Sequence, residues 1–411
     1  MSSAKWPGTE PDLVLRSARR DRLAAPIPVF RPQLPIAGRI IPYLQRLDQT
    51  RIYSNFGPLS REFEGRLAHT LRIGGEHVRA TNSGTAGLIA SILAAAGTAT
   101  AEKPYAIVPS FSFVATSVAV ERCGYNNYFA DVDANTWALD PDMLLGHPVL
   151  DHAGIVVPVA PFGRPVAQAP WLAFRERTGI PVVIDAAAAF SVIERDPSAF
   201  IGPLPSVFSF HATKGFGIGE GGCVVSTDAE LSENVGRALN FGFWGSRESV
   251  SPSSNGKMSE YHAAVGLAQL DCWPTTRAAM KGVAESYRTH FAGLGRRAAF
   301  FGPPEVDGGY ALFLCNDLDE TEAVQRSLAA DDIEFRFWYG QGIHLHAHFS
   351  DAPRDDMSAT KDLGGRLIGL PMAPDFRDQD IARVVEAIER AVRGISQRKP
   401  TSEMPISPLN G

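Results

Sequence analysis

Short runs of apolar and β-branched residues alternate with helical stretches along the first two thirds of the chain, and this alternation limits the fold more than any other feature. The predicted strands cover residues 105–109, 128–132, 154–159, 182–185, 207–210 and 222–226. Helical patterns lie between several of them, over residues 83–96, 113–123 and 166–178. Strands that alternate with helices favour a mostly parallel sheet covered by helices. The sequence therefore predicts an α/β fold for this part of the chain.

The pattern changes after about residue 290. Residues 311–315 and 334–339 have strand character, and they flank a predicted helix over 320–330. The last periodic segment has apolar residues along one helical face: Ile381, Val384, Val385, Ile388 and Val392. We therefore predict four parts: a loose N-terminal segment (1–25), a large domain (26–290), a small C-terminal α+β domain (291–395) and a flexible tail (396–411).

Composition and charge argue against several classes of protein. The 411 residues carry a formal net charge of -6 and no basic stripe, so a nucleic-acid partner is not expected. The four cysteines lack C-x-x-C spacing, which indicates reduced thiols rather than a disulfide framework or a zinc site. The N-terminal residues lack the apolar core of a signal peptide, and no apolar run is long enough for a bilayer. We expect a soluble cytoplasmic protein without a membrane partner or a metal.

A glycine-rich run, Gly217-Ile218-Gly219-Glu220-Gly221-Gly222, matches the G-x-G-x-x-G spacing of dinucleotide-binding loops. In those loops the glycines follow a strand and open a helix, whereas here they precede the strand-like residues 223–226. We therefore predict a tight reversal into a strand. Lys214 lies just before the glycines. It is either a solvated surface lysine or a lysine that forms a Schiff base with a carbonyl group.

Three further features each have an ordinary and a functional interpretation. Ser83 and Thr85 either cap the following helix or help its N-terminus to bind a phosphate. Asp185 ends an apolar strand, where it either caps a helix or pairs with a pyridinium nitrogen. Phe113 either packs in the core or stacks on a flat ring. Together with Lys214 they supply, in chain order, the groups that pyridoxal phosphate chemistry needs.

These segments resemble the DegT–StrS family of sugar aminotransferases, which are pyridoxal 5′-phosphate enzymes of the aspartate-aminotransferase fold (fold type I). The resemblance extends from about Arg51 to Ile395. The matching segments are Asn82-Ser83-Gly84-Thr85, the run from Pro109 to Thr116, Asp131-Val132-Asp133 with Thr136, Leu139 and Asp140, Ile184-Asp185-Ala186-Ala187, Phe208 to Lys214 with Gly219-Glu220-Gly221-Gly222, Asn255-Gly256-Lys257-Met258-Ser259, and Leu370-Pro371.

The resemblance implies a role for each matching residue. Lys214 would carry the cofactor as a Schiff base, and Asp185 would pair with the ring nitrogen. The resemblance also implies a homodimer with shared active sites, in which Asn255 would reach the phosphate of the partner's cofactor. The other implied contacts are Phe113 on the ring, Ser83, Gly84, Thr85 and Ser209 at the phosphate, and Lys257 and His344 at the substrate. For His344, a surface or interface position is an equally good interpretation.

Two residues depart from the family pattern. Ala188 stands where the family usually has a glutamine beside the ring, and Lys257 stands where an arginine is usual. A lysine keeps the positive charge but lacks the bidentate fork, so recognition of a carboxylate could differ. Some relatives have a histidine in place of the lysine and act as dehydratases. The presence of Lys214 favours transamination.

The resemblance implies that the chain transfers an amino group, with L-glutamate as the expected donor, to a keto-sugar linked to a nucleotide. One alternative is an aminotransferase or synthase that acts on a cyclitol or another ring ketone. The other is a non-catalytic regulatory protein on the same fold. The sugar, the aminated carbon and the pathway, whether of polysaccharides or of secondary metabolites, stay open.

Overall fold

The computed structural model describes residues 25–193, 197–292 and 309–396. Its strands, in chain order, are β1 (Val78–Thr81), β2 (Tyr105–Pro109), β3 (Asn126–Ala130), β4 (Ala153–Val156), β5 (Ile184–Asp185), β6 (Ser206–Ser209), β7 (Gly222–Val225), β8 (Ala311–Leu314) and β9 (Leu367–Leu370). Its helices are α1 (Ala37–Thr50), α2 (Pro58–Leu71), α3 (Gly84–Ala96), α4 (Ala115–Arg122), α5 (Pro141–Leu144), α6 (Gln168–Thr178), α7 (Pro197–Phe200), α8 (Ala229–Ala238), α9 (Glu260–Ala292), α10 (Leu318–Ala330), α11 (Ser358–Arg366) and α12 (Asp378–Ser396).

The first seven strands lie side by side in the order β3-β2-β4-β5-β6-β7-β1. Two groups of strands, β3-β2-β4 and β5-β6-β7-β1, are joined by parallel bridges from Val156 to Val182 and from Val159 to Asp185. The pairings β2–β3, β2–β4 and β5–β6 are parallel, and only β7 runs antiparallel to its neighbours β6 and β1. The prediction of a mostly parallel sheet is therefore confirmed.

Helices cover both faces of this sheet, so its strands are buried on both sides. Val207 and Phe208 are neighbours on β6, and both side chains are fully buried. They belong to different core clusters, because successive residues of a strand point to opposite faces. This explains why the strands have continuous apolar runs rather than an alternating pattern.

A smaller antiparallel pair, β8–β9, packs with α10, α12 and the C-terminal part of α9. Its separate core contains Tyr287, Phe313, Val384 and Ile388, which agrees with the predicted apolar face of the last helix. The structure therefore has a second, smaller core in the region for which a second domain is predicted. The boundaries of that domain stay a prediction. The predicted tail beyond Ser396 and most of the predicted N-terminal segment lie outside the described residues.

The predicted strand over 334–339 is wrong. Only Arg336 pairs with β9, through reciprocal hydrogen bonds with Gly369 of 2.9 and 2.6 Å. The Trp338 indole lies so close to Gly369 that a methyl group on Gly369 would be 2.1 Å from the Trp338 Nε1. The chain therefore leaves the sheet after one bridge and turns at Tyr339.

Candidate active site

The predicted site residues gather at the carboxyl ends of the parallel strands. Asp185 ends β5 and Ser209 ends β6, while Ser110 directly follows β2. Gly84 opens α3, three residues after β1 ends. Open α/β sheets bind their ligands at this edge, because the helices begin there and leave a crevice.

Asp185 is buried, with only 4% of its surface exposed. Thr116 donates a hydrogen bond from Oγ1 to its Oδ2 at 2.7 Å, and the Ala187 N–H donates to Oδ1 at 3.0 Å. Burial raises the pKa of Asp185, whereas these two hydrogen bonds and the positive charge of Lys214 lower it. In the described residues no helix starts directly after Asp185, since α7 begins only at Pro197, so the helix-cap interpretation does not hold. This buried acid can pair with a cationic ring nitrogen.

Lys214 lies in the loop that reverses the chain from β6 into β7. The Ala212 N–H donates to the Gly219 carbonyl at 2.8 Å, and the two strands are antiparallel. The glycine run therefore forms a reversal into a strand, as predicted, and not a dinucleotide loop. The Lys214 ammonium donates to the Tyr310 hydroxyl at 3.2 Å.

Three segments of backbone meet at the N-terminus of α3. A methyl group on Gly84 would be 2.8 Å from Cβ of Ser209, and one on Gly222 would be 2.6 Å from the Phe208 carbonyl oxygen. Ser83 is the N-cap residue, and its Oγ accepts from the Ala86 N–H at 3.1 Å. The capping interpretation of Ser83 is thus correct, and it leaves the first amides of α3 available to an anion. Thr85 lies in this first turn.

The two phenylalanines after β2 have different environments. Phe111 is buried and packs edge-on against Tyr339, with 5.1 Å between ring centroids. Phe113 is 62% exposed, so its ring does not serve the core. An exposed aromatic ring beside a strand end is a suitable surface for a flat ligand.

Asn255 and Lys257 lie beside the N-terminus of α3. The Asn82 N–H donates to the Gly256 carbonyl at 2.8 Å, and Asn82 Nδ2 donates to the Asn255 carbonyl at 3.1 Å. Lys257 is only 8% exposed, and burial lowers its pKa. Its ammonium donates to Asn255 Oδ1 at 2.8 Å and lies 4.3 Å from the centre of the Phe241 ring. Within one chain, this charge is directed at Asn255.

His344 is 2% exposed, so the surface interpretation is wrong. Its backbone N–H donates to Ser110 Oγ at 3.1 Å, and its Nδ1 lies 2.7 Å from the same oxygen. Either group can donate in this second contact, because the hydroxyl oxygen has two lone pairs and can accept from both the backbone N–H and Nδ1–H. Burial is the largest cause that lowers the pKa of His344. The histidine thus connects the segment after Tyr339 to the end of β2.

Sequence reasoning missed the partners of the two central residues. Thr116 lies in a segment that was matched to the family, and its position next to Asp185 in space had no local signal. Tyr310 is 96 residues from Lys214 along the chain.

Ala188, where the family usually has glutamine, lies in the turn after β5, and its carbonyl oxygen would be 2.7 Å from a methyl group on Gly163.

The described residues contain no cluster of histidine, cysteine, aspartate or glutamate side chains that could hold a metal. Among the same residues, no helix has the length and apolarity that a membrane span requires.

A buried acid, a nearby lysine and a backbone anion cradle at the strand ends of this sheet define a fold-type-I pyridoxal phosphate enzyme. The chain belongs to the DegT/DnrJ/EryC1/StrS aminotransferase family, whose model matches residues 35–389. The predictions of the family, the fold and an aminotransferase are therefore confirmed.

Protein Rv3402c of Mycobacterium tuberculosis is 34% identical over 383 residues, which cover 90% of this chain and 91% of that protein. A dTDP-4-amino-4,6-dideoxy-D-glucose transaminase of Shigella dysenteriae is 34% identical over 246 residues, or 60% of this chain and 65% of the transaminase. The crystal structure of DesI in the presence of its TDP-sugar product matches with a TM-score of 0.79 at 31% identity, and the match covers 92% of this chain and 96% of DesI.

Proposed function

We propose that this protein transfers an amino group from L-glutamate to the keto group of a nucleotide-linked sugar, with pyridoxal 5′-phosphate as its cofactor. The observation that carries this proposal is the buried Asp185 carboxylate, which lies within electrostatic reach of the Lys214 amine. The named transaminase relative and the TDP-sugar complex of DesI support the substrate class.

The residues present fit the cofactor. Asp185 is positioned to pair with its ring nitrogen, and the exposed Phe113 ring can lie against its face. The narrow cradle at Gly84, Thr85 and Ser209 offers backbone amides and a hydroxyl to its phosphate. When bound, the cofactor supplies an electron sink that stabilises negative charge at the substrate carbon.

The chain's own groups move the proton and hold the acid. The Lys214 amine, once free, would accept the proton from the α-carbon of the donor and would also be the group that returns it later in the half-reaction. Thr116 and the Ala187 N–H keep the Asp185 carboxylate oriented during this transfer, because they bind one oxygen each. The carboxylate would in turn keep the ring nitrogen protonated, which the electron sink requires.

The substrate contacts are proposed at Lys257 and His344. The Lys257 ammonium is bonded to Asn255, so a substrate carboxylate would have to replace that hydrogen bond. His344 would act through its Nε2, which is buried and has no hydrogen-bond partner among the described residues.

A homodimer with shared active sites is part of the proposal, with Asn255 reaching the partner's cofactor. Exposed apolar side chains support it: Tyr53 and Tyr261 stack with 6.1 Å between ring centroids, and both are about half exposed, as is Ile52. Clusters of exposed apolar residues are typical of interaction surfaces. We further propose a cytoplasmic enzyme that serves polysaccharide biosynthesis.

The proposal is tested with the purified protein and the matched variants Lys214→Ala and Lys281→Ala. Lys281 is an exposed lysine on α9 and serves as the control. Borohydride should fix the cofactor on the peptide that contains Lys214 in the wild type and in Lys281→Ala, and mass spectrometry would detect it. Labelling at another lysine would refute the site.

The acceptor is tested separately, with a panel of nucleotide-linked ketoses and cyclitol ketones. Release of 2-oxoglutarate from glutamate should depend on the nucleotide-linked ketose. Turnover with the cyclitol ketone alone would replace the proposed substrate class, and absence of any turnover in a protein that retains the cofactor would favour a non-catalytic role.

A further inference from the structure

Tyr310 directly precedes β8 in the smaller sheet, yet its hydroxyl reaches Lys214 in the loop between β6 and β7. We infer that Tyr310 is the docking partner of the Lys214 amine whenever that amine is not bound to the cofactor, and that it orients the amine for proton transfer. This inference rests on the proposed function. It adds a residue that lies far along the chain from every motif of the site.

The contact is a hydrogen bond in which the lysine donates. The Lys214 Nζ lies 3.2 Å from the phenolic oxygen and 5.9 Å from the centre of the ring. A lysine side chain has a flexible four-carbon stem, so a fixed acceptor removes most of the orientations in which the amine would be unproductive.

The Tyr310 ring is held in place by two aromatic neighbours. It packs edge-on against Phe162, with 5.3 Å between centroids, and edge-on against Trp338, with 5.5 Å. Because the ring is fixed on these sides, its hydroxyl has a defined position. Tyr310 is therefore a preorganised partner rather than a mobile surface group.

The backbone of Phe162 supports this view. Phe162 has a φ of 55°, in the left-handed region that residues with side chains rarely adopt. Its N–H donates to the Tyr339 hydroxyl at 3.2 Å, and its ring stacks on Tyr339 with 4.3 Å between centroids. Strained backbone persists where surrounding contacts determine it, and it concentrates at functional sites. Here the strained residue is Phe162, whose ring packs against Tyr310.

The test uses Tyr310→Phe, which removes only the hydroxyl, and Tyr125→Phe as the control. Tyr125 belongs to a different core cluster from the one that Tyr310 packs against, and its hydroxyl lies 3.4 Å from the Ala96 carbonyl oxygen. In single-turnover reactions with L-glutamate, Tyr310→Phe should be slowed by about tenfold or more, as expected for a lost proton-transfer aid. The isotope effect of α-deuterated glutamate should also increase, because proton transfer becomes slower. Tyr125→Phe should match the wild type.

A second readout needs no cofactor. In the apo-protein, brief acetylation followed by peptide mass spectrometry measures how accessible the Lys214 amine is. Loss of its acceptor should raise the labelling rate by about two- to tenfold, the range that one hydrogen bond supports. An unchanged labelling rate, or a half-reaction slowed without a change in the isotope effect, would overturn the inference. If the wild type itself neither binds the cofactor nor reacts with glutamate, the proposed function fails instead.

Discussion

Thr116 Oγ1 and Asp185 Oδ2 are 2.7 Å apart, and the hydrogen bond between them joins the start of α4 to the end of β5. This bond lowers the pKa of Asp185, against the effect of burial. Thr116→Val should therefore raise that pKa further and weaken cofactor binding by about tenfold. Titration of the apo-protein with pyridoxal phosphate, followed by visible absorbance, measures this. Thr116→Ser keeps the hydroxyl and should bind normally, and equal affinities for the two variants would contradict the assignment.

Asp185→Asn should separate stability from cofactor binding. Because burial raises the pKa of Asp185, the folded apo-protein binds this proton more tightly than the unfolded chain, and the apo-protein loses stability as the pH rises. A neutral amide removes that cost. The apo-variant should be more stable than the wild type by about 1 kcal/mol at pH ~8, with a smaller gain in acid.

Urea denaturation of both apo-proteins at two pH values provides the measurement. The cofactor affinity of Asp185→Asn should fall by at least about a hundredfold, since the ring cation loses its partner. A variant that is less stable as apo-protein, yet binds the cofactor normally, would contradict both expectations.

Glu64 is a second buried carboxyl group, outside the site and 9% exposed. It accepts a hydrogen bond from the Ala80 N–H at 2.8 Å, and burial raises its pKa from 4.5 to about 7. Ionising this buried carboxyl therefore lowers the free energy of unfolding. The loss starts as the pH rises above the unfolded pKa and reaches its full size above about pH 7. Glu64→Gln should stabilise the protein by about 2 kcal/mol at pH ~8 and by much less near pH ~5.

Thermal or urea unfolding across this pH range is the test for Glu64. The exposed Glu176 on α6 is a matched control, and Glu176→Gln should change the unfolding free energy by less than about 0.5 kcal/mol at any pH. A gain for Glu64→Gln that does not depend on pH would show that packing, not ionisation, causes it.

Gly222 and Gly65 make a matched pair of glycine substitutions. A methyl group on Gly222 would be 2.6 Å from the Phe208 carbonyl and 3.0 Å from the Gly84 nitrogen, whereas one on Gly65 meets nothing within 4 Å. Gly222→Ala should cost about 1–3 kcal/mol and weaken cofactor binding, because it moves the phosphate cradle. Gly65→Ala, within α2, should stabilise by about 0.5–1 kcal/mol and leave the affinity unchanged. Normal cofactor binding by Gly222→Ala would show that the cradle does not hold the phosphate.

The parts of this fold that have a local signal could be predicted, and the others could not. The buried strands around Val207 and the reversal at Gly219 follow from apolar runs and glycine positions, and both match the structure to within a few residues. The long helix α9 escaped prediction because its two halves pack against different neighbours, α1 and α2 at one end and α12 at the other. Its apolar residues therefore do not follow one stripe.

The same distinction holds for the site. The neighbours of Lys214 and Asp185 in the chain make both residues candidates, the family resemblance implies their roles, and in the structure they lie within electrostatic reach of each other. Tyr310 and Thr116 act through contacts between distant segments, which no window of sequence contains. The strand-like composition of residues 334–339 predicts a strand, but in the structure these residues contribute to an aromatic cluster instead of a sheet.

The attachment of Asn255 and Gly256 to Asn82 has a practical consequence for protein engineering. Asn82, the residue directly before the N-cap of α3, therefore also positions the backbone of the 255–257 segment. A chimera that imports this segment from a relative would disturb the N-terminus of α3 unless the residues around Asn82 come from the same parent. The two segments should be exchanged as one module.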